Sequence, residues 1–160
     1  MEIKQRPRRP SGLRRWAFRL PILLYRLRLG AFLGSRFVLI NHIGRKTGQP
    51  RQTVVEVVSR ADNAVTVAAG FGPGSDWYRN LLVHPSTTIQ LGSHHLAVQA
   101  HRIDADARAE AMLDYAHRHP GAARKLTKFM GYTVDGSDAD YAAVGRALHM
   151  LRFQPGADHS

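Results

Sequence analysis

The sequence predicts an α+β domain: a mainly antiparallel sheet of five or six strands curled into a small barrel, with helices outside. Three observations lead there. Short runs rich in β-branched residues follow one another through turn residues, close enough to pair with their neighbours. Helical periodicity gathers before residue 34 and after residue 104, with one short helix between. The 160 residues are 44% hydrophobic, enough to bury one core. A sheet of that size tends to close on itself and to be covered by helices.

The chain opens with "MEIKQRPRRP", which has no apolar periodicity and is expected to be disordered. Then comes "SGLRRWAFRLPILLYRLRLGAFLGS", where Ser11 is a candidate cap and Leu13, Trp16, Leu20, Leu24 and Leu27 recur at helical spacing. Pro21 kinks or splits this helix, because it removes a backbone donor. Residues 1–36 carry ten Lys and Arg against one acid, Glu2, a net of +9; the total over the chain is +11, so the body is nearly neutral. Charge-free runs in this helical segment, such as "LPILLY", residues 20–25, fall far short of the roughly 20 apolar residues of a span. No uninterrupted apolar region followed by small residues marks a signal peptide. Two readings stand. The helix lies in an anionic membrane surface through residues 12–33, with Trp16 and Phe18 inserted. Or its apolar face docks on the protein's own core. Nucleic acid is disfavoured as a partner, since binding arms for it lack this apolar content.

The body then reads in order. "RFVLINHI" (36–43), "QTVVEVVS" (52–59) and "NAVTVAAG" (63–70) are strands. "SDWYRNLLVHP" (75–85) is a short helix, with Ser75 as cap, Asp76 in the first turn and Pro85 past the end. "STTIQL" (86–91) and "HHLAVQAHRI" (94–103) flank Gly92-Ser93 as a hairpin. Asp104 caps a helix that Pro120 stops; "AARKLTKFM" and "DADYAAVGRAL" are further helices, and "HMLRFQP" is the last strand. The expected organisation is a basic amphipathic segment over 1–33, one domain over 34–154 and a disordered tail over 155–160.

Two stretches carry candidate chemistry. "GRKTGQPR" (44–51) places Arg45, Lys46 and Arg51 around a turn with Gly44, Thr47, Gly48 and Gln49. A hairpin needs no cations. Arginine can grip a phosphate or carboxylate through two parallel hydrogen bonds. The turn is either a solvated hairpin or an anion site. It is not a P-loop, whose G-x-x-x-x-G-K-S/T spacing is absent. "AAGFGPGSDWYRNL" (68–81) is a glycine-rich strand end feeding a helix N-terminus, which favours anions or polar ligand edges. Trp77 and Leu81, four apart, are expected to face the core, and Asn80 to lie on a neighbouring face. With no cysteine, disulfides and thiolate metal sites are excluded. The nine histidines show no metal-ligand spacing, so no metal is expected. No serine has a nucleophile-elbow context.

Taken together, "GRKTGQPR" and "DWYRNLLVHPSTTIQLG" resemble the deazaflavin-dependent nitroreductase family, also called flavin/deazaflavin oxidoreductases. The first is similar to that family's G-R-K-S/T-G-x-x-R loop, the second to its W-Y-x-N-L-x-x-N/H-P segment. The resemblance spans about residues 34–153. It implies a split β-barrel of the FMN-binding, pyridoxamine-phosphate-oxidase-like kind. It also implies coenzyme F-420 as cofactor, with FMN as the alternative on the same barrel. Residue by residue, it implies that Arg45, Lys46, Thr47, Gly48, Gln49 and Arg51 hold the coenzyme's phosphate and acidic tail. Ala68, Ala69, Gly70 and Phe71 would run along the ring edge, and Asp76, Trp77, Tyr78 and Asn80 would close the pocket. Relatives that activate nitroimidazoles carry a basic residue where this chain has Phe71, and a tyrosine cluster to which Tyr132 and Tyr141 need not correspond. Those two tyrosines, or solvent, are the candidate proton donors.

The function expected is hydride transfer from reduced F-420 to a quinone, enone or nitroaromatic acceptor, a small-molecule redox substrate. The alternatives are an FMN-dependent reductase and a non-catalytic cofactor or membrane-surface binding protein. The expected location is cytoplasmic, at the inner face of the cell membrane if the N-terminal helix meets lipid.

Overall fold

The computed structural model describes residues 2–3, 36–61, 63–70 and 72–156. The amphipathic segment expected over 12–33, Phe71 and residues 157–160 lie outside these. The elements are β1 (Glu2–Ile3), β2 (Phe37–Ile43), β3 (Pro50–Ala61), β4 (Ala64–Ala68), α1 (Asp76–Val83), β5 (Ser86–Leu91), β6 (His94–Arg102), α2 (Ala105–Arg118), α3 (Pro120–Phe129), β7 (Tyr132–Thr133), α4 (Asp138–Ala147) and β8 (Met150–Pro155).

Six strands form a closed barrel in the order β2-β3-β4-β8-β6-β5, with β5 pairing back onto β2. Every pair is antiparallel. Three of the pairings are the local hairpins expected from the sequence. The other three are not local: β8 enters between β4 and β6, so that Phe153 faces Val65 on one side and Ala100 on the other. Side chains alternate across a pleated strand, and here that alternation sorts residues between two cores. Val38, Ile40, Val65, Val67, Ile89, Val98, Leu151 and Phe153 fill the barrel. Val58 and Met150 point the other way, into a second core with Met112, Tyr115, Tyr141 and Val144 from the helices. A bulge between Val57 and Ser59 marks where β3 serves both.

The helices begin and end for local reasons. Asp104 Oδ1 accepts from the Ala107 amide at 2.8 Å and Ser137 Oγ from that of Asp140 at 3.2 Å. Pro120 does not merely stop α2: it is the first residue of α3, where its missing N–H is no loss. Ser75 differs from expectation. It occupies the cap position of α1, yet its side chain makes no capping bond and is buried. The first turn is closed by the backbone instead, Arg79 N to Ser75 O at 3.1 Å. The opening stretch differs too, since Glu2–Ile3 pair antiparallel with Tyr132–Thr133.

α2 and α4 cross at Gly145, where a Cβ would lie 2.6 Å from the Arg108 carbonyl oxygen and 2.9 Å from Met112 Cβ. Only glycine allows that approach. Polar links tie the helical layer to the barrel, among them Arg118 Nη2 donating to Val58 O at 3.0 Å. Tyr115 Oη donates to Glu56 Oε1 at 2.7 Å, and Arg36 Nη2 donates to the same oxygen at 2.9 Å. Burial, and then this bond to Glu56, push the Tyr115 hydroxyl well above its ordinary range.

Candidate functional site

α1 closes one mouth of the barrel. Tyr78 and Leu81 enter the barrel core, and Trp77 packs partly buried against it. Trp77 meets Tyr78 edge-on at 6.1 Å between ring centres.

The turn joining β2 to β3 is held against α1. Gly44 N donates to Gln49 O at 2.9 Å and Gly48 N to Gly44 O at 2.8 Å. Gly48 has a φ of +68°, which favours glycine, and a Cβ on Gly44 would sit 2.5 Å from Thr47 Oγ1 and displace that hydroxyl. Asn80 is the connecting residue. Its Oδ1 accepts from the Arg45 amide at 3.0 Å and from Arg45 Nη1 at 2.8 Å. Those atoms are donors only, so the Asn80 carbonyl must face them. Its Nδ2 therefore donates to His42 Nδ1, 3.0 Å away. This bond selects a neutral imidazole with its proton on Nε2. Burial lowers the His42 pKa to about 4; Arg51, paired opposite it across the ladder, pushes the same way, and Asp76 opposes them.

Arg45 thus has a place that its residue type did not reveal. Its guanidinium bonds Asp76 Oδ1 at 3.3 Å from both Nη atoms as well as Asn80, and its side chain is only 16% exposed. The Asp76 contact is exposed and contributes little by itself. Besides the anion contact expected of it, the Arg45 guanidinium bonds Asn80 and helps to order the turn. Lys46 and Arg51 are exposed, and neither has a carboxylate partner among the described residues. Thr47 Oγ1 accepts from Gln49 N at 3.3 Å. This donor set fits an acidic ligand group: two open cations beside a glycine turn held in shape from behind.

The start of the second stretch, residues 68–70, lies where β4 ends. Ala68 ends β4 and packs on the helical core, while Ala69 is buried in the barrel core with its N–H on His149 O at 2.8 Å. Gly70 lies against Met130, and a Cβ there would sit 3.6 Å from its sulfur. Ala69, Gly70, Met130, Tyr132 and His149 line one small crevice. Tyr132 therefore shares a wall with the glycine-rich loop. Tyr141 does not: it lines a cavity of about 530 Å³ between the helices, with His117, Arg124 and Asp138 and none of the expected cofactor residues. The two tyrosines paired as proton donors by sequence are thus in different clefts.

His42 is the residue that reading by motif missed. The signal for it was strand period: positions 38, 40 and 42 share the inward face of β2. Asn80, expected on a face neighbouring that of Trp77, is 2% exposed and bonded through both ends of its amide.

The sequence model of a family described as F420H(2)-dependent quinone reductase matches residues 26–129. A curated Mycobacterium tuberculosis protein, Rv3178, named as a candidate F420H(2)-dependent quinone reductase, is 34% identical over 74 residues. That alignment takes in 45% of this chain and 62% of the relative, so the chain spans under two thirds of the curated protein it matches. Among solved structures, the conserved hypothetical protein Rv2991 of Mycobacterium tuberculosis superposes with a TM-score of 0.55 at 16% identity, over 81% of this chain and 79% of that one. A protein titled F420-H2 dependent reductase (FDR-A) superposes with a TM-score of 0.52 at 16% identity, over 74% and 94%. Identities this low speak for the fold alone, and the fold is the split β-barrel.

Proposed function

The chain belongs to the family of F420H(2)-dependent quinone reductases, and on that footing we propose that it passes a hydride from reduced coenzyme F-420 to a quinone, enone or nitroaromatic acceptor. The observation that supports this best is the turn over residues 44–51, fixed to α1 through Arg45 and Asn80 with Lys46 and Arg51 left open. The family's stated dependence favours F-420 over FMN.

When bound, the reduced coenzyme supplies two electrons as hydride. The chain's own residues bind, orient and exclude water. Lys46 and Arg51 hold the phosphate and acidic tail, helped by the Thr47 hydroxyl and the backbone of Gly48 and Gln49. Arg45 lies in the same turn and, by bonding Asn80, also holds that turn in shape. Ala68, Ala69 and Gly70 present their backbone along the ring edge. Asp76, Trp77, Tyr78 and Asn80 close the end of the barrel, Asp76 and Asn80 through Arg45 and the rings by packing. Of the two candidate proton donors we favour Tyr132, which lines the same crevice as the loop, over Tyr141, which lines another cleft.

Mixing the protein with reduced F-420 and menadione should give turnover. Lys46→Ala and Arg51→Ala should each raise the KM for the coenzyme by roughly tenfold, the scale of one charge-assisted bond, with kcat little changed. A protein that shows no coenzyme binding by difference spectroscopy, or that is yellow with flavin as purified, refutes the proposal.

A further inference from the structure

We propose that a cleft between α1 and the junction of β6 with α2 selects an acceptor bearing a carboxylate or sulfonate on a flat apolar body. This rests on the reductase reading above and adds the acceptor's charge.

The cleft has a volume of about 320 Å³, at the lower end of ligand-sized cavities. Arg79, Arg102 and Arg108 line it, and among the described residues its wall contains no Asp or Glu. Among the described residues none of these arginines has a carboxylate partner. Arg108 is fixed in place: Nη1 donates to Ile103 O at 2.8 Å and Nη2 to Arg146 O at 3.0 Å, while its buried Nε has no partner. Two carbonyls orient this guanidinium without neutralising it. Three positive charges lining one cleft repel one another, and an anion bound there lowers that cost. The remaining wall is formed by Pro73, Tyr78, Leu82, Ile103, His149 and Met150, with Leu82 the exposed apolar side chain that a ring can cover.

Position makes this an acceptor site. Pro73 and His149 line both this cleft and the crevice that holds Ala69, Gly70 and Tyr132. A ring anchored by its charge on the arginines has its far edge directed to the wall where the coenzyme ring is proposed to lie. The turn that holds the coenzyme's acidic end is built from other residues, so the two anions do not compete.

The test is binding of anthraquinone-2-sulfonate against neutral 2-(hydroxymethyl)anthraquinone to the full chain without coenzyme, followed by fluorescence. The sulfonate should bind at least about tenfold more tightly. The double variant Arg79→Gln, Arg102→Gln should abolish that preference and leave the neutral probe's affinity unchanged. Both arginines are exposed, so the variant should fold, as its thermal unfolding will show. Equal affinities in the parent protein, or a preference unaltered in the variant, overturn the proposal. Displacement of the sulfonate by an equal concentration of inorganic phosphate also overturns it, since the cleft would then be a small-anion site. Failure of F-420 turnover with every acceptor sinks the reductase reading and leaves the binding result standing. Charge-blind binding with normal menadione turnover sinks this inference alone.

Discussion

Replacing Asn80 by alanine removes one amide that serves three partners. Its carbonyl holds the Arg45 N–H at 3.0 Å and Nη1 at 2.8 Å, and its NH2 holds His42 Nδ1 at 3.0 Å. A neutral hydrogen bond contributes about 1 kcal/mol net, and one to a charged group about 1.5–3 kcal/mol. The three together come to about 4 kcal/mol. Arg45 keeps Asp76 and its side chain is 16% exposed, so water recovers part of the loss at the guanidinium. The His42 and Arg45 main-chain groups recover less, because position 80 is 2% exposed. The net expectation is a loss of about 3 kcal/mol. Urea unfolding followed by circular dichroism should show this as a midpoint lower by roughly 1.5 M at an unchanged slope of about 2 kcal/mol/M. Coenzyme affinity should fall too, although Asn80 need not touch the coenzyme, because the turn loses its anchor. A loss below about 1 kcal/mol, or an intact KM for the coenzyme, would mean that the turn holds its shape without α1.

His42 makes stability depend on pH. Its pKa is about 4 in the folded state against an ordinary 6.5, so below pH 6.5 the unfolded chain binds a proton that the native state refuses. The contribution is complete above about pH 6.5 and is lost as pH falls towards about 4. A loss of about 2 kcal/mol after screening is expected across that window, and it should be absent in His42→Gln. If both proteins show the same acid profile, the imidazole is not held neutral. Gly145→Ala forces a methyl into the α2–α4 crossing and should destabilise by about 1–3 kcal/mol, whereas Gly121→Ala, with nothing within 4 Å, should be neutral or slightly stabilising. Equal effects would show that the crossing relaxes freely. For the N-terminal segment, replacing Arg14, Arg15 and Arg19 with Gln in the full chain should reduce binding to vesicles containing anionic lipid by roughly 10²-fold, about 1 kcal/mol per charge. Unchanged co-sedimentation would remove the membrane reading.

Local chemistry accounts for what was legible. β5 was read with its observed bounds, because "STTIQL" is flanked by Pro85 and Gly92. Pro120 and Asp104 marked helix boundaries for reasons contained in single residues. The turn cations and the glycine loop were visible as types and spacings. Strand alternation would also have exposed His42, had the inward face of β2 been followed to its end. Ser75 occupies the cap position expected of it, but whether its hydroxyl makes the capping bond depends on where it points once the residue is buried.

The sequence alone determined the antiparallel strands, the open cations beside a glycine turn and the family of the chain, since each depends on residues near one another along the backbone. Tertiary structure decided that β8 closes the barrel, that Arg45 is turned inward onto Asn80, that Tyr132 and Tyr141 are parted, and that Arg79, Arg102 and Arg108 meet in one cleft. Those outcomes join positions dozens of residues apart. Their energies come from burial and from the pairing of buried polar groups, which exist only after the chain has closed on itself.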